Sequence, residues 1–388
     1  MDNFLWDIGT KVYFGRGQIK NLGPEAATRG KKALLVYGGG SVKRTGVYDA
    51  ACESLMEHGV SFAELSGVDP NPRIGSVREG VRICREFGAE MVIALGGGSS
   101  IDCAKVIAAS VSSVADPWDL VCGREKYKSV LPILTVLTLA ATGSEMDHIA
   151  VISNMAMGEK IGTRHPAMRP AVSILDPEYT FSVPPYHTAC GTADIFAHAI
   201  ENYLWHDNGA FLQDRFAEAV MQTCVKYGPI AVKNPEDYEA RANLMWAGSH
   251  AINGLLSLGK EHPWTAHQIE HPLSAYYDVT HGAGLAIILP RWLNYILSER
   301  TVDRLRQLAV NVWGVVPSVD GFSDARAGII KMQEFFASMN LPSTLREVGI
   351  SDRSRIKEMA QKAARTVSSG TYVPLSAEDV ENILEACW

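Results

Sequence analysis

The sequence predicts an α/β domain built on a mainly parallel sheet over residues 1–185, followed by an all-α domain over residues 186–388. Three observations point there. Before residue 185, short apolar β-type runs end in Gly- or Thr-rich turns and lead into helical patterns. After it, long stretches of helical periodicity dominate, at 188–205, 210–232, 237–258 and 283–298. The histidines follow the same division: eight of the eleven (187, 198, 206, 250, 262, 267, 271 and 281) lie between 187 and 281. Val183-Pro184-Pro185 marks the break, because prolines interrupt regular hydrogen bonding.

The first half is read strand by strand. Ala33-Leu34-Leu35-Val36-Tyr37 runs into Gly38-Gly39-Gly40-Ser41. Met91-Val92-Ile93-Ala94-Leu95 runs into Gly96-Gly97-Gly98-Ser99-Ser100, and Ile133-Leu134-Thr135-Val136-Leu137 toward Ala141-Thr142-Gly143-Ser144-Glu145. Repeated strand, glycine turn and helix imply a Rossmann-like sheet that binds its ligand at the strands' carboxyl ends. Such turns suit phosphate, since the backbone can approach closely and helix N-terminal N–H groups face the anion. Neither GxGxxG nor GxxxxGK[ST] is present, so the prediction rests on three turns in register rather than on a fingerprint.

Within those turns, Gly97, Gly98, Ser99 and Asp102 form the pyrophosphate candidate, although Asp102 would equally serve as an N-terminal charge offsetting the helix dipole. Thr138 and Thr142, with Ser144, offer hydroxyls at a third strand end, where turn and cap chemistry is the plainer use. The segment Gly38 to Arg44 reads GGGSVKR and contains no acid. A ribose with free hydroxyls is usually read by a carboxylate near this point, and a 2′-phosphate would be repelled by one. Glycine space at Gly38, Gly39 and Gly40, the Ser41 hydroxyl and the cations Lys43 and Arg44 therefore favour NADP(H). The alternative for the two cations is an ordinary solvated pair.

Composition excludes other classes. The chain has 388 residues, 47% hydrophobic and 20% charged, enough to bury a large core and divide into two domains. A formal charge of −7 disfavours nucleic acid, which needs a basic face. No apolar run reaches the length of a membrane span, and the opening MDNFLWDIGTKVYFG lacks the basic-then-apolar order of a signal peptide. Seven scattered cysteines without a CxxC pair read as reduced thiols, hence a cytoplasmic protein. A homodimer is expected.

The second half carries the metal chemistry. Asp194 and His198 stand four apart in a helical pattern among apolar and small neighbours, so one helix face presents both. A buried Asp–His hydrogen bond would explain the pair as well as a metal does. His267 and His271 form a second such pair, and His281 lies ten residues on, before Gly282-Ala283-Gly284. Spacing admits Asp194, His198, His267 and His271 as a ligand set, or His281 in place of one of them. Three imidazoles and a carboxylate suit Fe²⁺ or Zn²⁺ as a Lewis acid. HExxH is absent, which argues against a protease-type site.

At these residues the chain resembles the iron-containing (group III) alcohol dehydrogenases, closest to the branch of NADPH-dependent butanol dehydrogenases and broad aldehyde reductases. Gly96 through Asp102, Leu137 through Glu145, Asp194 with His198, and His267 through His281 carry the likeness, in that order along most of the chain. It implies the two-domain dehydroquinate synthase-like architecture and hydride transfer between NADP(H) and small aliphatic aldehydes or primary alcohols. It implies Asp194, His198, His267 and His281 as metal ligands, and leaves His271 near the substrate as a proton relay or a structural donor. Asn71 and Lys160 are implied in cofactor binding. The family's Pro-Thr-Thr is replaced here by Leu137-Thr138-Leu139. Two rival readings fit the residues less well. The cyclising chemistry of dehydroquinate synthases needs basic residues that the segments around Phe196, Trp264 and Ile269 lack. A non-catalytic nucleotide-binding module would have no use for a filled ligand set.

Overall fold

The computed structural model describes residues 1–206, 208–260 and 264–388; His262, one of the eight histidines noted above, lies outside them. The chain forms two compact units. One comprises Asp7–Val183 with Pro235–Asn253, the other Met1–Trp6, Pro184–Asn234 and Gly254–Trp388.

The first unit is built on β1 (Lys11–Phe14), β2 (Lys32–Tyr37), β3 (Ser61–Leu65), β4 (Met91–Gly96), β5 (Ile133–Leu137), β6 (Ile149–Asn154), β7 (Glu159–Arg164) and β8 (Val172–Leu175). Six of these form one parallel sheet in the order β1-β8-β5-β4-β2-β3, and β6 and β7 form an antiparallel hairpin. The period-2 alternation of strand side chains creates two cores. Leu34, Val36, Val92 and Ala94 pack on one face with α2 (Ile74–Phe87) and α3 (Gly98–Ser110). Ala33, Leu35, Met91, Ile93 and Val136 pack on the other with α1 (Val47–Glu57). Burial on both faces is why these strands read as unbroken apolar runs. From β2 the chain moves outward to β3 and then back to β4 on β2's other side. The turns after β2 and β4 therefore flank the point where strand order reverses, the usual ligand site of such sheets.

The second unit is helical: α4 (Pro185–Tyr203), α5 (Phe211–Lys233), then, after an intervening helix, α7 (Ala266–Tyr277), α8 (His281–Ile296), α9 (Val302–Trp313), α10 (Gly321–Ser338), α11 (Ile356–Val367) and α12 (Ala377–Ala386). The intervening helix, α6 (Tyr238–Ile252), belongs to the first unit. The cut expected after residue 185 falls beside the Val183/Pro184 boundary of these units, while 235–253 returns to the sheet unit. Packing explains the return. Met245 joins the core beneath α3, Trp246 packs edge-on to Phe14 with centroids 5.6 Å apart, and Ser249 bonds the buried Glu145. The Pro-Pro pair starts a helix, with Pro185 at its first position, where the missing N–H costs nothing. None of the described helices is long and apolar enough to cross a membrane, and all seven cysteines are free thiols.

Candidate active site

In the helical unit, the period of α4 sets Asp194, His198 and Glu201 on one face. His267 sits in the first turn of α7, and His281 is the first residue of α8. Their side chains converge. Asp194 Oδ1 lies 3.6 Å from His198 Nε2, 3.5 Å from His267 Nε2 and 3.8 Å from His281 Nε2. The His198 and His267 rings stack at 4.7 Å and 14°, and Trp264 meets both edge-on. Asp194 Oδ1 and His267 Nε2 are buried without a hydrogen-bond partner among the described residues. Such groups are costly unless something is meant to bind them. Metal–ligand bonds of roughly 2.0–2.2 Å in a tetrahedron separate ligand atoms by about 3.3–3.6 Å, close to the spacing of Asp194 from each ring, and Asp194, His267 and His281 bring one ligand atom each within 4.8 Å of one another. The donor set therefore fits a divalent cation.

Two carboxylates hold the rings from behind. Glu201 contacts His267 Nδ1 and accepts the backbone N–H groups of Thr265, Ala266 (2.7 Å) and His267 (3.3 Å), so it caps the start of α7. Glu270 contacts His281 Nδ1 and takes the Ser274 hydroxyl. Both are almost wholly buried. Glycines make room for this assembly: a Cβ at Gly282 would lie 2.0 Å from the Cys190 carbonyl oxygen on α4, and one at Gly284 would lie 2.8 Å from Glu270 Cγ.

Electrostatics follow from burial and neighbours. Burial pushes the Asp194 carboxyl up, but the imidazoles around it outweigh that and hold it below the usual carboxylate range. Burial pulls His198 down to about 3. It also opposes charge on His267, yet the adjoining Glu201 and Asp194 carboxylates raise that ring to about 9.

His271 lies one turn beyond His267 on α7, is buried, and has its ring 5.9 Å from that of His281. Helical spacing alone left His271 and His281 as alternatives beside Asp194; it is His281 Nε2 that approaches the carboxylate. Glu201 and Glu270 escaped the sequence reading. Their trace was there, in an acid three residues after a candidate ligand on an otherwise apolar helix face.

In the sheet unit, the turns after β2, β4 and β5 lie at the carboxyl ends of neighbouring parallel strands. Gly97 caps α3, whose first N–H groups receive no side-chain cap. Gly98 lets the β5 turn close on α3, since a Cβ there would meet Thr142 Oγ1 at 2.2 Å. Thr138 donates its N–H to the Gly96 carbonyl (3.1 Å), linking the two turns. The Ser99 hydroxyl contacts the Pro70 carbonyl, beside the buried Asn71. Pro72 accepts from Ser153 N (2.8 Å), and Ser153 is paired in the hairpin with Lys160, so Asn71 and Lys160 flank one junction.

Asp102 faces inward. One oxygen takes the Ser144 hydroxyl (2.6 Å) and the other the Val151 N–H (2.9 Å), while burial raises its pKa to about 6. Lys105, wholly buried on the same helix, pairs with Asp147. Burial likewise lifts Glu145 to about 7.

At the first turn, Gly40 adopts a left-handed φ of 95° and Ser41 begins a short helix in an exposed position. A Cβ at Gly39 would meet nothing within 4 Å. Arg44 is exposed, with Nη1 4.0 Å from where a Gly40 Cβ would stand. Lys43 is differently engaged: its Nζ lies 3.3 Å from Glu64 Oε2 and over the Tyr37 and Tyr48 rings. Glu64 also accepts the Tyr37 and Tyr48 hydroxyls. The segment itself has no acid, yet β3 carries one to Lys43.

Comparison with known proteins agrees with this architecture. Residues 9–177 match the family model for iron-containing alcohol dehydrogenase, and 188–388 match that for the C-terminal part of the Fe-containing alcohol dehydrogenase family. The chain is 52% identical to NADH-dependent butanol dehydrogenase A of Clostridium acetobutylicum, covering 99% of each chain. It is 37% identical to the NADPH-dependent aldehyde reductase YqhD of Escherichia coli, covering 93% of each. Among solved structures, NADH-dependent butanol dehydrogenase A of Thermotoga maritima superposes with a TM-score of 0.95 at 36% identity, covering 100% of this chain and 99% of that one.

Proposed function

The chain belongs to the iron-containing alcohol dehydrogenase family, and on that premise we propose that it interconverts small aliphatic aldehydes and primary alcohols with NADP(H) as the hydride carrier. One divalent metal, Fe²⁺ or Zn²⁺, would be held by Asp194, His198, His267 and His281. The observation that carries this reading is the convergence of three imidazole nitrogens on a buried carboxylate oxygen that has no partner among the described residues. When bound, the metal supplies Lewis acidity at the substrate oxygen and the nicotinamide supplies or accepts hydride.

The chain's own residues do the rest. Asp194 brings negative charge to the centre, and the stacked His198 and His267 rings with Trp264 keep one side of it dry. His271, a turn from His267, passes the proton that the substrate oxygen gains on reduction and loses on oxidation. Gly97, Gly98, Ser99 and the N-terminus of α3, with Thr138, Thr142, Asn71 and Lys160 around them, bind the cofactor's phosphates and adjoining groups.

For NADP(H) over NAD(H), the support is the turn after β2. Ser41 and Arg44 are exposed at a strand end without a carboxylate of its own, and Glu64 is occupied by Lys43, Tyr37 and Tyr48. Seven free thiols support a reducing, cytoplasmic setting, and we take the working form to be a homodimer.

The test is oxidation of NADPH on addition of butanal, run beside metal analysis. The expected result is aldehyde-dependent turnover that disappears, together with the bound metal, in Asp194→Ala. Full turnover by metal-free protein would overturn the reading.

A further inference from the structure

On the metal-binding reading above, we infer that Glu201 and Glu270 are positioning residues that fix the tautomers of His267 and His281, and that Glu201 does so in a way no neutral side chain can replace. A neutral imidazole carries one N–H and one lone pair, and only the lone pair can hold a metal. Each carboxylate lies against Nδ1 of its ring, on the side away from Asp194. A carboxylate only accepts, so when the ring is neutral, as a metal ligand must be, the proton is held on Nδ1 and the Nε2 lone pair is left on the side of Asp194.

The two carboxylates differ in what else they hold. Glu201 also accepts backbone N–H groups from Thr265, Ala266 and His267, donors that cannot reverse. Both of its oxygens must accept. A glutamine there has one accepting end: with its oxygen on the backbone donors, its amide N–H faces His267 Nδ1. That ring then moves its proton to Nε2 and loses the lone pair turned toward Asp194. One of Glu270's partners, by contrast, is reversible. The Ser274 hydroxyl is within 3.0 Å of the Val279 carbonyl and can send its proton there. A glutamine at 270 can then donate to Ser274 Oγ and still accept from His281 Nδ1.

The experiment measures Zn²⁺ and Co²⁺ affinity of the full chain by chelator competition, with the Co²⁺ visible spectrum as a report of ligand geometry. Glu201→Gln should bind about 100-fold more weakly with an altered Co²⁺ spectrum, and Glu270→Gln less than about 10-fold more weakly with the spectrum kept. Glu270→Met, which removes the acceptor, should lose at least about 10-fold. Metal-free melting curves accompany each protein. A Glu201→Gln variant that melts early yet keeps its affinity would mean Glu201 only caps the helix, and the inference fails. If Glu201→Gln does not fold, the Glu270 pair decides: equal affinity for Gln and Met at 270 overturns the inference. Asp194→Asn is the control. If it keeps wild-type affinity, the metal-binding reading itself is wrong; if it loses metal while the Glu variants do not, only the positioning role falls.

Discussion

Adding one methyl group at Gly282 should dismantle the proposed metal centre from outside it. Gly282 follows His281 at the start of α8, and a Cβ there would stand 2.0 Å from the Cys190 carbonyl oxygen and 2.6 Å from its carbon. An ordinary contact needs about 3.4 Å, so the two backbones must part by roughly 1 Å or more. Neither can yield alone: Cys190 lies one turn before Asp194 on α4, and Gly282 adjoins His281. Any separation is passed directly to the 3.8 Å gap between Asp194 Oδ1 and His281 Nε2. Metal sites hold their bond lengths to about 0.2 Å, and a 1 Å misplacement near a reacting centre costs about 10²-fold in rate. Overpacking of this kind destabilises by about 1–3 kcal/mol. Gly282→Ala should therefore remain folded with a lower melting temperature, bind metal at least about 100-fold more weakly and reduce aldehydes at about 1% of the normal rate or less. Gly321→Ala is the control, because a Cβ at that helix start has its nearest neighbour at 3.4 Å. Metal content after dialysis against a weak chelator, read beside melting curves, gives the answer. Wild-type affinity in Gly282→Ala would refute the claim that this close approach sets the ligand geometry.

Four further outcomes are expected. Gly39→Asp, entering open space, should turn preference from NADPH toward NADH by about tenfold or more, since one charge-assisted bond is worth roughly 1.5–3 kcal/mol; kcat/KM for both cofactors at fixed aldehyde checks this, and an unmoved ratio refutes it. Glu64→Gln should release Lys43 from its 3.3 Å contact and raise the NADPH/NADH ratio of kcat/KM several-fold; an unmoved ratio would mean Lys43 takes no part. His267→Ala should lose both metal and turnover, whereas His271→Ala should keep its metal and lose only part of its rate, and equal metal loss in the two would argue that His271 is itself a ligand. Glu145→Gln tests pH: burial raises this carboxyl from 4.5 to about 7, so the native state binds the extra proton and loses stability as pH rises from about 5 to 8, by at most about 3 kcal/mol. Urea melts should find the variant gaining on the wild type over that range, and a constant difference would show that Glu145 titrates normally.

Helix and strand periods decided much of this protein within the chain itself. Four residues' spacing commits Asp194 and His198 to one face of α4, because a helix turns once in about 3.6 residues whatever surrounds it. Unbroken apolar runs ending in glycine commit the strands before Gly38 and Gly97 to a doubly covered parallel sheet, because only burial on both faces suits such runs. The resemblance to a known family rested on these same stretches. Local spacing stops at the element's own axis, however. Which histidine faces Asp194 depends on how closely α8 approaches α4, and that depends on Gly282 meeting the Cys190 backbone. Glu64 stands 20 residues beyond Arg44, yet the parallel pairing of β3 with β2 brings it to Lys43. Helix α6 follows the helical unit's Pro184–Asn234 and still packs beneath the sheet domain, because Met245 and Ser249 find their partners there. Periodicity states which side of an element is apolar or armed, while the partner of that side is chosen only when distant surfaces are packed together, where a single Cβ or one buried hydrogen bond decides the match.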